Sequence, residues 1–249
     1  MLVAGSNCVI TGASSGIGAH IAQELSKRGV NVALLARRED KLRQVADQCT
    51  SATSSASSVH IITMDMNDTE SVDRAVERIG ELFCHKVHYL INCAGMGGEN
   101  VTADELDVDK CHQILTVNLV NMIRFTLQLI KYIKGCEPAA IVNIGSIVGT
   151  IPWGKLVAYG ASKYGVRGFS QNLFEDLREH GVKVCVIQPG LVATEMVPES
   201  ELLDRSKMIQ VQDVTDTILY VLNCRPTVCP TEINLSPQRS PAVTPSEMQ

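Results

Sequence analysis

The chain has 249 residues, 45% hydrophobic and 20% charged, which is enough apolar material for one large domain or two small ones. Its 22 basic and 27 acidic residues leave a formal charge of −5, which excludes a nucleic-acid partner held by bulk positive charge. Met1 to Gly5 carry neither a basic stretch nor a long apolar one, so no secretory signal is expected.

Asn7–Thr11 is a short apolar run that predicts a buried strand, and it leads into Gly12-Ala13-Ser14-Ser15-Gly16-Ile17-Gly18. Ile17, Ile21, Ala22 and Leu25 then recur at helical spacing until Gly29, a natural helix stop. A second strand is expected over Val30–Ala36, a helix over Glu39–Cys49 and a Ser/Thr/Ala loop over 50–58. Strand three spans Val59–Met64, helix Thr69–Leu82 follows, and strand four runs Val87–Asn92. A long helix over 102–134 leads to strand Ala140–Ile144, then helix Ala158–His180 and strand Val182–Gln188. Segment 191–210 has little periodicity and reads as a substrate loop or lid. Helix 211–223 and strand 232–235 close the core, and 236–249, with three prolines, reads as a loose tail.

Strands that alternate with helices, each nearly continuously apolar, predict a parallel sheet covered on both faces. No Pro/Gly-rich linker divides the chain. The expectation is therefore a single-domain, doubly wound α/β fold of the Rossmann type over 1–249, with ligands beyond the carboxyl ends of the strands. The apolar stretch Ile114–Ile133 is interrupted by Asn118, Asn121, Arg124 and Gln128, and reads as a buried helix rather than a membrane span. Nine scattered cysteines without C-x-x-C fit free thiols in a reducing, cytoplasmic setting. Cys84-His85-x-x-His88 has metal-like spacing but no second ligand cluster follows it, so it reads as a helix end and no metal is expected.

The chemistry collects at the strand ends. A strand, a glycine turn and a helix N-terminus form an anion cradle, because small residues let backbone N–H groups approach a pyrophosphate that the helix dipole favours. After strand two, where a dinucleotide site usually places an acid for the ribose 2′-hydroxyl, the chain has Ala36-Arg37-Arg38. Two guanidinium groups without an acid suit a 2′-phosphate, which points to NADP(H). Asp65-Met66 ends strand three and Asn92-Cys93-Ala94-Gly95 ends strand four, both facing the expected cofactor. Strand five ends at Ser146. Tyr159 and Lys163 are i and i+4 on a helix and point the same way, so an ammonium beside a phenol favours the phenolate and makes a usable proton donor.

With these residues in register, the chain resembles the short-chain dehydrogenase/reductase family, of the NADP-dependent carbonyl reductase type, over residues 5–235. The likeness rests on Thr11 to Gly18, Asp65, Asn92 to Gly95, Asn118, Ser146, Tyr159-x-x-x-Lys163 and Pro189-Gly190-Leu191-Val192-Ala193-Thr194. The resemblance implies hydride transfer between a nicotinamide and a carbonyl or secondary alcohol carbon. It gives Tyr159 the role of general acid/base, has Lys163 assist it and bind the ribose, and has Ser146 orient the carbonyl. Asn118 would anchor a proton-relay water, and Pro189, Val192 and Thr194 would hold the carboxamide and pyrophosphate. Cofactor contacts would come from Gly12, Ser14, Ser15, Gly16, Ile17, Gly18, Arg37, Arg38, Asp65, Met66, Asn92, Ala94 and Gly95.

Two departures stand out: Cys93 where the family usually has Asn or another small residue, and Gly145 where a second Ser is frequent. A 3-oxoacyl reductase or 3-hydroxy-acid dehydrogenase is an alternative enzyme reading, and an NADP-sensing binding protein a non-enzymatic one. The complete catalytic set argues against the sensor. The substrate pocket is expected among Met96, Ile147, Trp153, Val192 and Met196, a mostly apolar set that suits a small neutral carbonyl or alcohol. Lys155 and Arg205 are the candidate clamps for a charged substrate if the 191–210 segment folds over the site. Helix 102–134 carries apolar residues on more than one stripe, so a homodimer or homotetramer built on it and on helix 158–180 is expected.

Overall fold

A computed structural model describes residues 2–51, 57–98 and 100–243. Seven parallel strands form one sheet: β1 (Asn7–Thr11), β2 (Asn31–Ala36), β3 (Val59–Thr63), β4 (Tyr89–Asn92), β5 (Ala139–Ile144), β6 (Val182–Pro189) and β7 (Glu232–Leu235). Their spatial order is β3-β2-β1-β4-β5-β6-β7. The helices are α1 (Gly16–Lys27), α2 (Glu39–Ser51), α3 (Thr69–Leu82), α4 (Val108–Leu115), α5 (Asn121–Ile133), α6 (Val157–Leu177) and α7 (Val211–Asn223).

The continuous apolar runs explain the layering, since consecutive side chains of a strand point to opposite faces and both faces here are covered. Ile10, Leu34 and Ile187 pack with Ile21 and Leu25 of α1, Leu42 of α2 and Ile218 of α7. Val9 and Leu35, the chain neighbours of Ile10 and Leu34, pack on the other side together with Val184 of β6, against Val72 and Ile79 of α3, Phe125 and Leu129 of α5 and Leu173 of α6. All eight residues of β6 are buried. The chain winds outward from β1 through β2 to β3, then returns to the far side of β1 at β4, which opens a crevice where the winding reverses.

Element ends shift by one or two residues from the sequence expectation, as fraying ends do. Two differences are larger. The helix expected over 102–134 is instead a short turn Ala103–Glu105, then α4, a π-helical turn at Thr116–Val120, and α5. Asp107 starts α4 by accepting from the Asp109 N–H at 2.9 Å, and the buried Asn118 sits inside the widened turn. The helix expected to reach His180 ends at Leu177 and tightens to a 3₁₀ turn over Arg178–His180, closed by Gly181 at φ +69°. The stretch Val108–Ile133 is long and apolar enough to cross a bilayer by length and composition, yet Phe125, Leu129 and Ile133 within it are fully buried against the sheet.

The tail is also ordered further than its prolines suggest. Pro241 O accepts from the Asp204 N–H at 2.8 Å, Leu202 O accepts from the Val243 N–H at 3.0 Å, and Leu203 pairs antiparallel with Ala242. Proline removes a donor but keeps its carbonyl, and the remaining groups find partners on the 202–204 segment. Residues 244–249 of the expected tail, and 52–56 of the expected Ser/Thr/Ala loop, lie outside the described residues.

Candidate active site

The glycine turn after β1 is built around close backbone approach. Gly12 has φ +67°, and a Cβ on it would stand 2.8 Å from Ala94 Cα at the end of β4. Gly18 is needed for space: a Cβ there would lie 2.4 Å from the Gly12 carbonyl oxygen. Thr11 locks the two strand ends together, its Oγ1 accepting from the Cys93 and Ala94 N–H groups at 3.1 Å each. Gly16 and Ile17, the first residues of α1, line the crevice beside this turn, and the end of a helix that carries unpaired N–H groups suits an anion.

That crevice is a cavity of ≈ 830 Å³, and it gathers most of the residues singled out by the sequence. Gly12, Ser14, Ser15, Gly16, Ile17, Arg37, Arg38, Asp65, Met66, Ala94 and Gly95 line one part of it. Ser146, Tyr159, Lys163, Pro189, Val192 and Thr194 line the centre, and Met96, Ile147, Trp153 and Met196 the remainder. Three expected contacts do not reach its surface. Gly18 lies behind Gly12, as described. Asn92 is buried beneath the site, donating to Thr126 Oγ1 and Asn143 Oδ1, both at 2.8 Å. Asn118 is 2% exposed and acts from behind the wall: its Oδ1 accepts from the Met96 N–H at 2.8 Å, and its Nδ2 donates to Met96 O at 3.0 Å and Ser162 Oγ at 3.2 Å.

The reactive trio comes from two elements. Ser146 follows β5 in extended conformation, and its Oγ accepts from the Val148 N–H at 3.4 Å. Tyr159 and Lys163 lie one turn apart on α6, with Lys163 Nζ 5.6 Å from the Tyr159 ring centroid. The buried ammonium donates to Ile144 O at 2.9 Å, which fixes it at the carboxyl end of β5 and leaves two of its three donors for a ligand. Cys93 is beside this group, and burial pushes its thiol up to about 12, which disfavours the thiolate.

Several lining residues were not singled out by the sequence. Gln113, Val117, Ile151, Leu156 and Leu203 extend the apolar end, and Pro237 and Pro241 bring the tail into the wall. Of the two candidate clamps, Lys155 does not line the cavity. Arg205 is committed to the loop itself, donating to Thr194 O and Val197 O at 3.0 Å each. At the Cys84-His85-x-x-His88 segment, His85 packs edge-on against Tyr132 and His88 Nδ1 accepts from the Asn7 N–H at 3.1 Å. No group of three or more His, Cys, Asp or Glu among the described residues is placed to hold a metal.

A cradle of backbone N–H groups, guanidinium groups at one end and a Ser, Tyr and Lys at the centre fit a nicotinamide dinucleotide in shape and donor chemistry. Such a sheet and site define a nucleotide-dependent oxidoreductase fold of the Rossmann type. The chain belongs to the short-chain dehydrogenase family, whose sequence profile matches residues 6–203. A sulfoacetaldehyde reductase of Chromohalobacter salexigens is 31% identical over 245 residues, covering 94% of this chain and 95% of that protein. A farnesol dehydrogenase of Aedes aegypti is 28% identical over 239 residues, with 94% and 96% covered. Among solved structures, a variant of actinorhodin polyketide ketoreductase with NADPH superimposes with a TM-score of 0.84 at 27% identity, over 94% of this chain and 96% of that one.

Proposed function

We propose that the protein is an NADP(H)-dependent reductase or dehydrogenase of neutral, apolar carbonyl compounds and the corresponding alcohols, with Tyr159 as the general acid/base. The observation that carries this reading is the sharing of one cavity by Ser146, Tyr159 and Lys163 with the glycine turn and with Arg37 and Arg38. Nicotinamide bound there supplies or accepts the hydride. In the reducing direction Ser146 Oγ donates to the substrate carbonyl and holds it against Tyr159, whose hydroxyl gives its proton to the same oxygen. Lys163 sets positive charge beside the phenol oxygen as that proton leaves, and its free N–H donors bind ribose hydroxyls. Asn118 holds the Met96 backbone, and with it the strand-end loop, in place behind the reacting groups.

Arg37 and Arg38 favour the 2′-phosphate of NADP(H), since they take the two positions directly after β2, where a carboxylate would repel it. For the substrate, the relatives' names offer a sulfonated aldehyde and a long apolar alcohol. The wall favours the apolar one, because Arg37, Arg38 and Lys163 are the only cations among its described residues and Arg205 is already bonded to the loop. Exposed Val120 and Leu127 beside α5, with Val157 and Tyr164 of α6, support a homo-oligomer joined through these helices.

The test is NADPH oxidation against a panel of neutral and anionic carbonyls, with Tyr159→Phe as control. The variant should lose nearly all turnover and bind NADPH within a few-fold of the wild type, because only the transferable proton is removed. Retained turnover would refute the assignment of Tyr159, and a preference for anionic substrates would refute the substrate class.

A further inference from the structure

The loop after β6 approaches the glycine turn at Thr194 and is bonded to the far side of the cofactor cleft through Glu195. Thr194 reaches the glycine turn, its Cγ2 standing 3.2 Å from where a Cβ on Gly16 would be. The next residue, Glu195, accepts from Arg38 through Oε2 at 3.1 Å. The same guanidinium donates to Ser14 Oγ at 3.1 Å and Ser15 Oγ at 2.9 Å, so it links glycine turn and loop in one network. Arg205 fixes the 194–197 turn from within, as described, so the turn carrying Glu195 moves as a unit. Arg37, by contrast, is exposed and makes no side-chain bond among the described residues.

We propose that Glu195 is a specificity-determining residue whose carboxylate clasps Arg38 across the cleft and competes with the cofactor's 2′-phosphate for that guanidinium. The inference rests on the NADP(H) reading above and deepens it. A phosphate dianion and a carboxylate present the same oxygen acceptors to a guanidinium, and Arg38 also spends donors on Ser14 and Ser15, so the two anions contend for the rest. The clasp is exposed, with the Glu195 side chain at 65% and Arg38 at 46%, so its strength is that of a surface pair and screening by salt weakens it. Binding of a 2′-phosphate therefore releases the loop from the glycine turn, whereas a cofactor lacking that phosphate leaves the clasp closed over it. Glu195 thus sets both the affinity gap between the two cofactors and the position of the substrate loop in each complex.

Calorimetric titration with adenosine 2′,5′-bisphosphate and with 5′-AMP tests the competition without any reaction. Glu195→Gln should bind the bisphosphate about two- to fivefold tighter than the wild type, while 5′-AMP changes less than about 1.5-fold. On an Arg38→Ala background the same substitution should add nothing. Hydrogen exchange of 191–204 in the ligand-free protein should rise equally in Glu195→Gln and Arg38→Ala, and in the wild type on adding the bisphosphate but not 5′-AMP. Equal tightening of both nucleotides, or exchange unmoved when the pair is broken, would overturn the clasp. If neither wild type nor Glu195→Gln prefers the bisphosphate, while exchange of 191–204 rises in Glu195→Gln and Arg38→Ala but not on adding the bisphosphate to the wild type, the NADP(H) reading fails and competition with it, but the ionic tie between loop and turn stands.

Discussion

Replacing Asn118 by Ala separates a positioning role from a packing one. In the intact protein its amide is the only side-chain partner of the Met96 N–H and O among the described residues, at 2.8 and 3.0 Å, and it also donates to Ser162 Oγ. Truncation strands the Met96 N–H at a cost of about 1–3 kcal/mol, with a smaller loss for the carbonyl and for the vacated volume. Ser162 suffers little, since its hydroxyl still donates to Tyr159 O at 2.7 Å. The total is about 2–3 kcal/mol, and at about 2–4 °C per kcal/mol for a chain of this size the melting midpoint should fall about 4–12 °C. Scanning calorimetry measures the fall, and hydrogen exchange locates it: amides of 94–98 should exchange faster, while those of β1 keep their protection. Turnover should fall further than stability alone explains, because Gly95 and Met96 line the cavity beside Lys163. A midpoint within about 1 °C of the wild type, with slow exchange at Met96, would refute the claim that this side chain holds the strand-end loop.

Three other outcomes follow from the same geometry. Arg37→Ala combined with Arg38→Ala should erase the preference for NADPH over NADH, read as the ratio of kcat/KM values; equal efficiency with both cofactors in the unmodified protein would defeat the expectation. Gly18→Ala forces a methyl to 2.4 Å from the Gly12 carbonyl oxygen, so the turn must shift, and NADPH affinity in a fluorescence titration should weaken about tenfold or more, with a stability loss of about 1–3 kcal/mol. Burial lowers His60 and His88 from the ordinary histidine value, so the unfolded chain binds more protons as the pH falls through about 6.5. The stability these groups contribute is complete above that value and is lost as the pH falls toward their folded values. His88→Gln should shrink the drop in melting midpoint between about pH 7.5 and about pH 5.5, and an undiminished drop would show that His88 does not carry it.

Much of this was legible locally. A run such as Val9-Ile10 followed by Gly12 announces a buried strand and a turn, because burial on both faces and φ > 0 each restrict the residue types allowed. The positions of Ser146, Tyr159 and Lys163 at one strand end and one helix face follow from element order alone, and the cavity does bring them together. The π-helical turn at Thr116–Val120 was not legible, because its extra residue shifts the helical register, and a stretch apolar on more than one stripe does not reveal such a shift. The polar Asn118 in that stretch was the available signal. Asn92 looked like a cofactor contact by its place at the end of β4, yet its amide is satisfied inward by Thr126 and Asn143, partners far away in sequence.

What escaped the sequence shares one property: each residue acts through a partner fixed only by the tertiary fold. Glu195 and Arg38 are 157 positions apart, and nothing in either neighbourhood marks them as a pair. Arg205 read as a free cation able to clamp a charged substrate, but its guanidinium is turned into its own loop, where it donates to the Val197 carbonyl and adds a second donor to the Thr194 carbonyl, which also accepts from the Val197 N–H. Pro237 and Pro241 read as the punctuation of a loose end, but the backbone at 241–243 pairs with 202–204, and both prolines line the wall. The glycine turn and the catalytic residues are held by strand ends and helix faces. The loop and tail that shape the substrate end are held by a few hydrogen bonds and the exposed Arg38–Glu195 pair. Each of those bonds is worth far less than a buried core contact, so this end of the cleft is where opening costs least. An oxidoreductase of this family that must admit a dinucleotide and a second, smaller ligand needs that asymmetry, with the central residues fixed and the entrance closed by contacts weak enough for its ligands to replace.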